Sequence, residues 1–197
     1  MIDTIPIFPL DSVFLFPGTL LPLHIFEPRY RLMLEYCLEN DGDMGITNAK
    51  KNGEIDTAFG WGKVVKRESL DDGRSNIILQ GMGIAELVEY QSTDPFIIAK
   101  VQKREQDLSQ LGSDEYRDKL NQILELTRKH LINLKADSTI LSDLEKLRQH
   151  PFPLDVIAAF LDIKPKIKQE ILVMEDQLSR ADIVINFLLN KLHPNDS

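Results

Sequence analysis

The chain has 197 residues, an apolar fraction of 43% and a formal net charge of −8 at pH 7. This composition is typical of a globular protein, and the length allows one domain with a helical extension. No apolar run approaches the roughly 18 residues of a membrane span, and no signal-peptide pattern opens the sequence. Cys37 is the sole cysteine, so no internal disulfide can form, as in the reducing cytosol. We therefore expect a cytoplasmic protein without a membrane partner.

The negative charge is concentrated in the first half of the chain. Residues 1–107 carry 17 acidic and 11 basic side chains, a net charge of −6, whereas residues 108–197 carry 14 and 12, a net charge of −2. Most non-specific affinity for nucleic acid comes from the neutralisation of phosphates. An acidic domain is poorly suited to that role, so we do not expect nucleic acid as a partner.

Residues 1–107 are predicted to form strands with one short helix near the start. Pro6 and Pro9 favour extended backbone in the residues that precede them. The Pro-Gly turn that follows leads into a predicted buried strand at residues 19–26. Pro28 suits the first turn of a helix, where its missing N–H costs nothing.

The next part of this half alternates between strand patterns and turn residues. The sequence Asp72-Gly73 predicts a hairpin turn, because both residues tolerate positive φ. Gly81-Met82-Gly83 predicts a bulge or a sharp bend in an otherwise overlong strand. Strand patterns occupy residues 43–47, 58–68, 76–90 and 97–103. Several bent strands with one helix indicate a small barrel or a folded-over sheet.

Residues 114–193 show the apolar spacing of amphipathic helices. Ser113 or Asp114 can cap the first helix, and Asp137-Ser138 starts the second. Pro151 and Pro153 break the second helix, a short helix follows, and Pro165 opens a further one. We expect two domains, a strand-rich domain at residues 1–107 and a helical bundle at 114–193 that packs on it.

An ordered set of motifs at residues 5–38 carries a family resemblance. Pro-Leu, Phe-Pro-Gly, Pro-Leu and Phe-Glu-Pro-Arg-Tyr follow one another there. This order resembles the N-terminal, substrate-binding domain of Lon proteases, in the form that occurs without the protease. Residues 59–90 are similar to the same family, and so, more loosely, is the stretch from Lys168 to Arg180. The resemblance implies an α+β fold, a PUA-like pseudo-barrel followed by a helical bundle, which recognises unfolded or tagged polypeptide.

The residue patterns of catalysis and metal binding are missing from the sequence. It has no Gly-x4-Gly-Lys-[Ser/Thr] loop for nucleotide phosphates, and it ends before an ATPase or a Ser-Lys protease domain could follow. The four histidines, at positions 24, 130, 150 and 193, lack the spacing of metal ligands. We therefore expect no enzyme activity, no cofactor and no metal.

Five residues are candidates for roles in binding or at a structural junction. Phe14 and Phe16 precede a Pro-Gly turn, so we expect one of them to be exposed for contact with a partner. Trp61 stands between two glycines and could serve as a ligand platform or pack in the core. Glu27 and Arg29 flank Pro28, where we expect them to fix the junction of strand and helix.

The function that these observations favour is recognition of polypeptide without catalysis. The partners would be unfolded or partly folded polypeptide, together with a protease or a chaperone. A PUA-like module that binds RNA or a nucleotide is the alternative, because the same fold class allows it. The net charge favours the first hypothesis.

Overall fold

The computed structural model describes residues 2–50, 54–105 and 109–193. The chain divides into two compact units, residues 1–105 and residues 106–197. The described part contains six strands and one α-helix in the first unit and five α-helices in the second. The mixed α+β class predicted from the sequence is confirmed. None of the described helices combines the length and the apolar character that crossing a membrane requires.

The strand unit follows the predicted order of elements closely. Its helix α1 spans Pro28–Glu39, with Pro28 in its first turn. The strands are β1 (Ile2–Leu10), β2 (Leu20–Ile25), β3 (Asp43–Asn48), β4 (Ala58–Ser69), β5 (Ser75–Ser92) and β6 (Ile97–Lys103). Gly73, at φ +80°, supplies the positive φ of the turn between β4 and β5.

Five of the six strands pair in a closed ring. β1 pairs with β3 in parallel, and the remaining contacts of the ring, β3–β4, β4–β5, β5–β6 and β6–β1, are antiparallel. A closed ring leaves no strand edge unpaired. β2 lies outside the ring and pairs only with the first part of β5 among the described residues. The residues predicted as a buried strand therefore form an edge strand, in which Leu20, Pro22 and His24 are exposed.

β5 takes part in three pairings because a bulge divides it. The register with β4 shifts between Trp61 and Gly62, which face Gly83 and Gly81, so Met82 is the extra residue. The first part of β5 lies between β2 and β4, Ala85 and Glu86 pair with both β4 and β6, and the last part pairs with β6. The bulge lies at the glycines that predicted it, and it lets one long strand bend around the ring.

Glycines in β4 and β5 admit the segment that precedes β2. A Cβ atom on Gly60 would lie 1.8 Å from the carbonyl oxygen of Leu15, and one on Gly81 would lie 2.0 Å from that of Phe16. The side chains of Leu15 and Phe16 are fully buried. Only residues without a side chain allow backbone to approach that closely. The glycines beside Trp61 thus accept another part of the same chain.

Helix α1 covers one end of the core of the strand unit. Tyr30, Leu34 and Cys37, the apolar stripe visible in the sequence, are buried together with Met33. The thiol of Cys37 donates to the carbonyl oxygen of Asp43 at 3.3 Å. Burial raises the pKa of this thiol to about 12, so Cys37 is a structural residue rather than a nucleophile.

The first two helices of the helical unit have side-chain caps, and the one at Ser113 was predicted from the sequence. Ser113 Oγ accepts from the backbone N–H of Tyr116 at 3.1 Å, and Asp137 Oδ1 accepts from that of Thr139 at 2.7 Å. The helices are α2 (Asp114–Asn133), α3 (Ser138–Lys146), α4 (Pro153–Phe160), α5 (Pro165–Val173) and α6 (Gln177–Leu192). Asp155 of α4 and Arg180 of α6 form an ion pair in which both side chains are buried. Burial, more than the nearby Asp155 carboxylate, raises the pKa of Tyr116 to about 12.

Candidate functional site

A cavity of about 360 Å³ lies where β2 leads into α1. Residues 8–11 at the end of β1 form one wall, and residues 23–27 at the end of β2 form the other. Arg29 and Tyr30 of α1 close one end. We call this concave surface the β2 groove.

The floor of the β2 groove is apolar and aromatic. Phe8 and Tyr30 pack with their ring centroids 4.3 Å apart, and Ile25 is buried beside them. Phe26 lies at the rim with 57% of its surface exposed and stacks on His24 at a centroid distance of 5.9 Å. A large exposed aromatic side chain beside an apolar depression is typical of a surface that binds another molecule.

The rim of the groove carries charges of both signs. Arg29 Nε donates to Glu27 Oε2 at 3.1 Å, and the two side chains are 55% and 42% exposed. The guanidinium of Arg29 also lies 4.5 Å from the ring centroid of Tyr30. Burial raises the pKa of Tyr30, and Arg29 opposes this shift. Both junction residues predicted from the sequence therefore line the groove.

A second depression, of about 340 Å³, lies on the opposite, outer face of β2. Exposed side chains of Pro22 and His24 line it together with Lys66 and Glu68 of β4. Polar contacts connect the three strands, since His24 Nδ1 lies 2.7 Å from Asn76 Oδ1 and Asn76 Nδ2 donates to Glu68 Oε2 at 3.1 Å. We call this surface the outer depression. It shares Leu23 and His24 with the β2 groove.

The aromatic residues singled out in the sequence lie elsewhere. Phe16 is fully buried, and its carbonyl oxygen occupies the space that the missing side chain of Gly81 leaves. A contact between Phe16 and a client stays a prediction. Phe14 is half-buried and does not line the groove. A contact between Phe14 and a client stays a prediction.

Trp61 is half-buried and covered by a cation. Lys103 Nζ lies 3.8 Å from the centroid of the Trp61 ring. The same ammonium group pairs with Asp3 Oδ2 at 2.8 Å and with Asp43 Oδ2 at 2.7 Å. These two carboxylates raise the pKa of Lys103 against the effect of burial, which lowers it. A client would have to displace Lys103 to stack on this face of Trp61, so a binding role for Trp61 stays a prediction.

The two concave surfaces present apolar, aromatic and charged side chains. No group of three or more His, Cys, Asp or Glu side chains in these ranges is placed to hold a metal ion. The carboxylates of the groove rim are exposed, and Glu27 is paired with Arg29. The arrangement provides an apolar floor, an exposed ring and a strand edge.

Sequence analysis missed Phe26, His24 and Tyr30 as residues of the site. Phe26 stands directly before Glu27-Pro28, where the strand ends, so its ring has no neighbouring strand to cover it. The proline at position 22 was a usable signal, because proline within a sheet is confined to edges. An edge strand would have placed His24 at the surface.

Comparison with known proteins gives the class of fold first. The structure is similar to the N-terminal domain of the Lon protease of the Mycobacterium avium complex, with a TM-score of 0.77 at 14% identity over 95% of this chain and 99% of that one. It is also similar to a Lon N-terminal domain protein from Xanthomonas campestris, with a TM-score of 0.66 at 17% identity over 94% of this chain and 98% of that one. At such identities the likeness shows a shared fold.

Comparison of the sequence with known families identifies the family to which the chain belongs. The chain belongs to the family of the ATP-dependent protease La (LON) substrate-binding domain, whose model matches residues 4–190. It is 25% identical to the Lon protease of Parabacteroides distasonis over 96% of this chain and 24% of that protein. It is 23% identical to Lon protease 1 of Bacillus subtilis over 95% of this chain and 25% of that protein. The chain spans about a quarter of the length of these relatives.

Proposed function

We propose that this chain is a non-catalytic module that recognises unfolded or partly folded polypeptide, as a cytoplasmic partner of a protease or a chaperone. The observation that carries the proposal is the exposed ring of Phe26 beside the apolar floor of the β2 groove. Membership of a substrate-binding domain family supports it. We also propose that the closed strand ring is the PUA-like pseudo-barrel that the sequence resemblance implies.

The form of the groove suits a polypeptide. An unfolded chain offers apolar side chains that a folded protein buries, and burial of such a side chain contributes about 1.5–3 kcal/mol. Phe8, Ile25 and Tyr30 line the floor of the groove, and the exposed ring of Phe26 supplies the apolar surface for this contact. Glu27 and Arg29 at the rim can interact with polar and charged side chains that flank the apolar ones in a client of varied sequence.

The charge of the strand unit favours polypeptide over RNA. Residues 1–107 have a net charge of −6, and the lining of the outer depression contains the anion Glu68 as well as the cation Lys66. RNA binding needs cations that neutralise phosphates, and its affinity falls steeply as salt rises. Apolar contacts weaken little with salt, so salt dependence separates the two functions.

The test measures binding of a denatured client to the full chain. The probe is reduced and carboxymethylated α-lactalbumin carrying fluorescein, and fluorescence anisotropy reports binding. We expect Phe26→Ser to weaken binding about tenfold, because an exposed aromatic anchor typically contributes more than 1 kcal/mol. Val88→Ser is the matched control, since Val88 is 53% exposed on β5 and lines neither concave surface.

Two results would contradict the proposal. The first is an equal loss of client binding in the Phe26 and Val88 variants, because the groove would then have no special role. The second is binding of a fluorescent single-stranded RNA that is stronger than client binding and falls steeply with salt. A blue shift of Trp61 emission on client binding would indicate that the client also contacts Trp61.

A further inference from the structure

We propose that the client binds by adding a strand to the free edge of β2, with its alternate side chains entering the β2 groove and the outer depression. This inference rests on the proposed function and specifies how that function is performed. It predicts that backbone hydrogen bonds provide affinity for many sequences, while two concave surfaces select the side chains.

The backbone groups of β2 are divided between its two edges. β2 pairs antiparallel with β5, with Leu21 opposite Leu79 and Leu23 opposite Ile77. Thr19 O accepts from Gly81 N at 2.8 Å at the start of this pairing. Successive residues of a strand direct their N–H and C=O groups to opposite edges. The groups of Leu21 and Leu23 therefore face β5, and those of Leu20, Pro22 and His24 face the free edge.

The position of Pro22 agrees with this division. Proline has no N–H, and within a sheet it occupies positions whose N–H would face away from the neighbouring strand. An added strand thus meets N–H and C=O groups from Leu20 and His24, and a C=O group from Pro22. The free edge of β2 therefore already presents the backbone groups to which an added strand would hydrogen-bond.

Two concave surfaces flank this edge on opposite faces of the sheet. The side chains of Leu23 and Ile25 point to the core, on the side of the β2 groove, the side chain of Pro22 points to the outer depression, and His24 lines both surfaces. A strand added beside β2 would send its successive side chains to these same two faces. A ligand held by the β2 groove alone would leave the outer depression unused.

The occupant is an extended segment of another polypeptide rather than a second copy of β2. If two copies of β2 paired antiparallel around Pro22, the two prolines would face each other with carbonyl oxygens and no donors. Edge prolines act against such self-pairing. Two strand domains with a net charge of −6 each also repel one another. An extended segment with basic residues at its ends is attracted to this negatively charged domain instead.

The first experiment uses peptides with blocked amides. The probe is a short fluorescein-labelled peptide that alternates valine and threonine and carries lysine at both ends. One derivative has every valine amide N-methylated, and the other has every threonine amide N-methylated. Strand addition uses only one of these two sets of N–H groups. We expect one derivative to lose binding and the other to bind as the parent peptide does.

The second experiment changes the edge of the protein. Pro22→Ala and Pro22→Val each restore an N–H group at the free edge of β2. A hydrogen bond of about 1 kcal/mol should tighten binding of the parent peptide about fivefold. The valine variant keeps an apolar side chain in the outer depression, so it controls for lost packing. Sedimentation of the unmodified protein tests whether copies pair with each other.

The outcomes separate the inference from the proposed function. If both methylated derivatives bind like the parent peptide, or lose binding equally, and neither Pro22 variant binds more tightly, strand addition is wrong. Phe26-dependent binding of denatured α-lactalbumin would then leave the proposed function standing. If the unmodified protein binds neither probe, the proposed function and the inference are both wrong. A dimer that dissociates when peptide is added would overturn the choice of occupant.

Discussion

Among the described residues, the Lys103 ion pairs of the strand unit remain partly accessible, whereas one ion pair of the helical unit is almost fully buried. Lys103, which holds Asp3 and Asp43, remains partly accessible. Asp155 and Arg180 lie in the interior of the helical unit, each with only 6% of its side chain exposed. Strands are joined by backbone hydrogen bonds, which fix their order and register. Helices have no such bonds between them, so their arrangement depends on side chains.

This difference shows where each unit is vulnerable. In the helical unit, the buried Asp155–Arg180 pair joins α4 to α6. In the strand unit, the backbone of Leu15 and Phe16 lies directly against Gly60 and Gly81. A charge deletion should therefore damage the helical unit, and an added methyl group should damage the strand unit.

Arg180→Ala should cause the largest loss of stability. The substitution leaves Asp155 buried without its partner, which costs about 3–5 kcal/mol. Urea unfolding of the full chain, followed by far-UV circular dichroism, measures this loss in the helical unit. Arg117→Ala is the control, because its ion pair with Asp114 is exposed and should contribute less than about 1 kcal/mol.

The pH dependence of this variant has a definite sign. Burial raises the pKa of Asp155, and Arg180 counters part of that shift. Without Arg180 the folded state holds a proton on Asp155 more tightly than the unfolded state does. The lost stability should therefore return in part as pH falls toward about 4, the unfolded pKa of aspartate. The double variant Asp155→Leu with Arg180→Met should recover, at every pH, most of the stability that Arg180→Ala loses. A double variant as unstable as Arg180→Ala would contradict this account.

Gly60→Ala should lower the stability of the strand unit by about 3 kcal/mol. Its Cβ would lie 1.8 Å from the carbonyl oxygen of Leu15, so the backbone must move. Trp61, the sole tryptophan, reports unfolding of this unit by its fluorescence. A Cβ on Gly112 would meet no atom within 4 Å, so Gly112→Ala should leave this transition unchanged. Equal unfolding midpoints for the Gly60 variant and the unmodified chain would show that the contact is not required.

Arg29→Ala should have the smallest effect on stability, below about 1 kcal/mol, because its ion pair with Glu27 is exposed. Thermal melting measures it, and Arg74→Ala, at the exposed pair with Asp72, is the control. We expect Arg29→Ala to change the free energy of client binding by less than it changes the free energy of unfolding. Unchanged melting with lost binding would assign Arg29 to the recognition surface instead of the junction.

Local signals in the sequence predicted much of the order of elements. The cap at Ser113, the Asp72-Gly73 turn and the bulge at Gly81 each depend on a few neighbouring residues. Ring closure brings β6 beside β1, and this pairing of distant segments leaves no local trace. The burial of Phe16 involves Gly81, far along the chain, so it left no local signal either.

The recognition surface was harder to predict than the fold. Glu27 and Arg29 were identified through their place at a junction, and they line the groove. Phe26 and His24 were missed because residues 19–26 have the composition of a buried strand. Their exposure follows from the position of β2 outside the ring, which only the pairing of strands reveals. Pro22 was the one local indication of an edge.

The parallel pairing of β1 with β3 has a consequence for how such a module can change. Two parallel neighbours must be joined by a long crossover, and here residues 11–42 form it. That crossover carries β2, Phe26 and α1, so one continuous insert holds most of the proposed site. The same crossover supplies part of the core through Leu15, Ile25, Tyr30, Met33, Leu34 and Cys37. A segment that replaces it to change specificity must therefore rebuild this part of the core and also fit its backbone against Gly60 and Gly81.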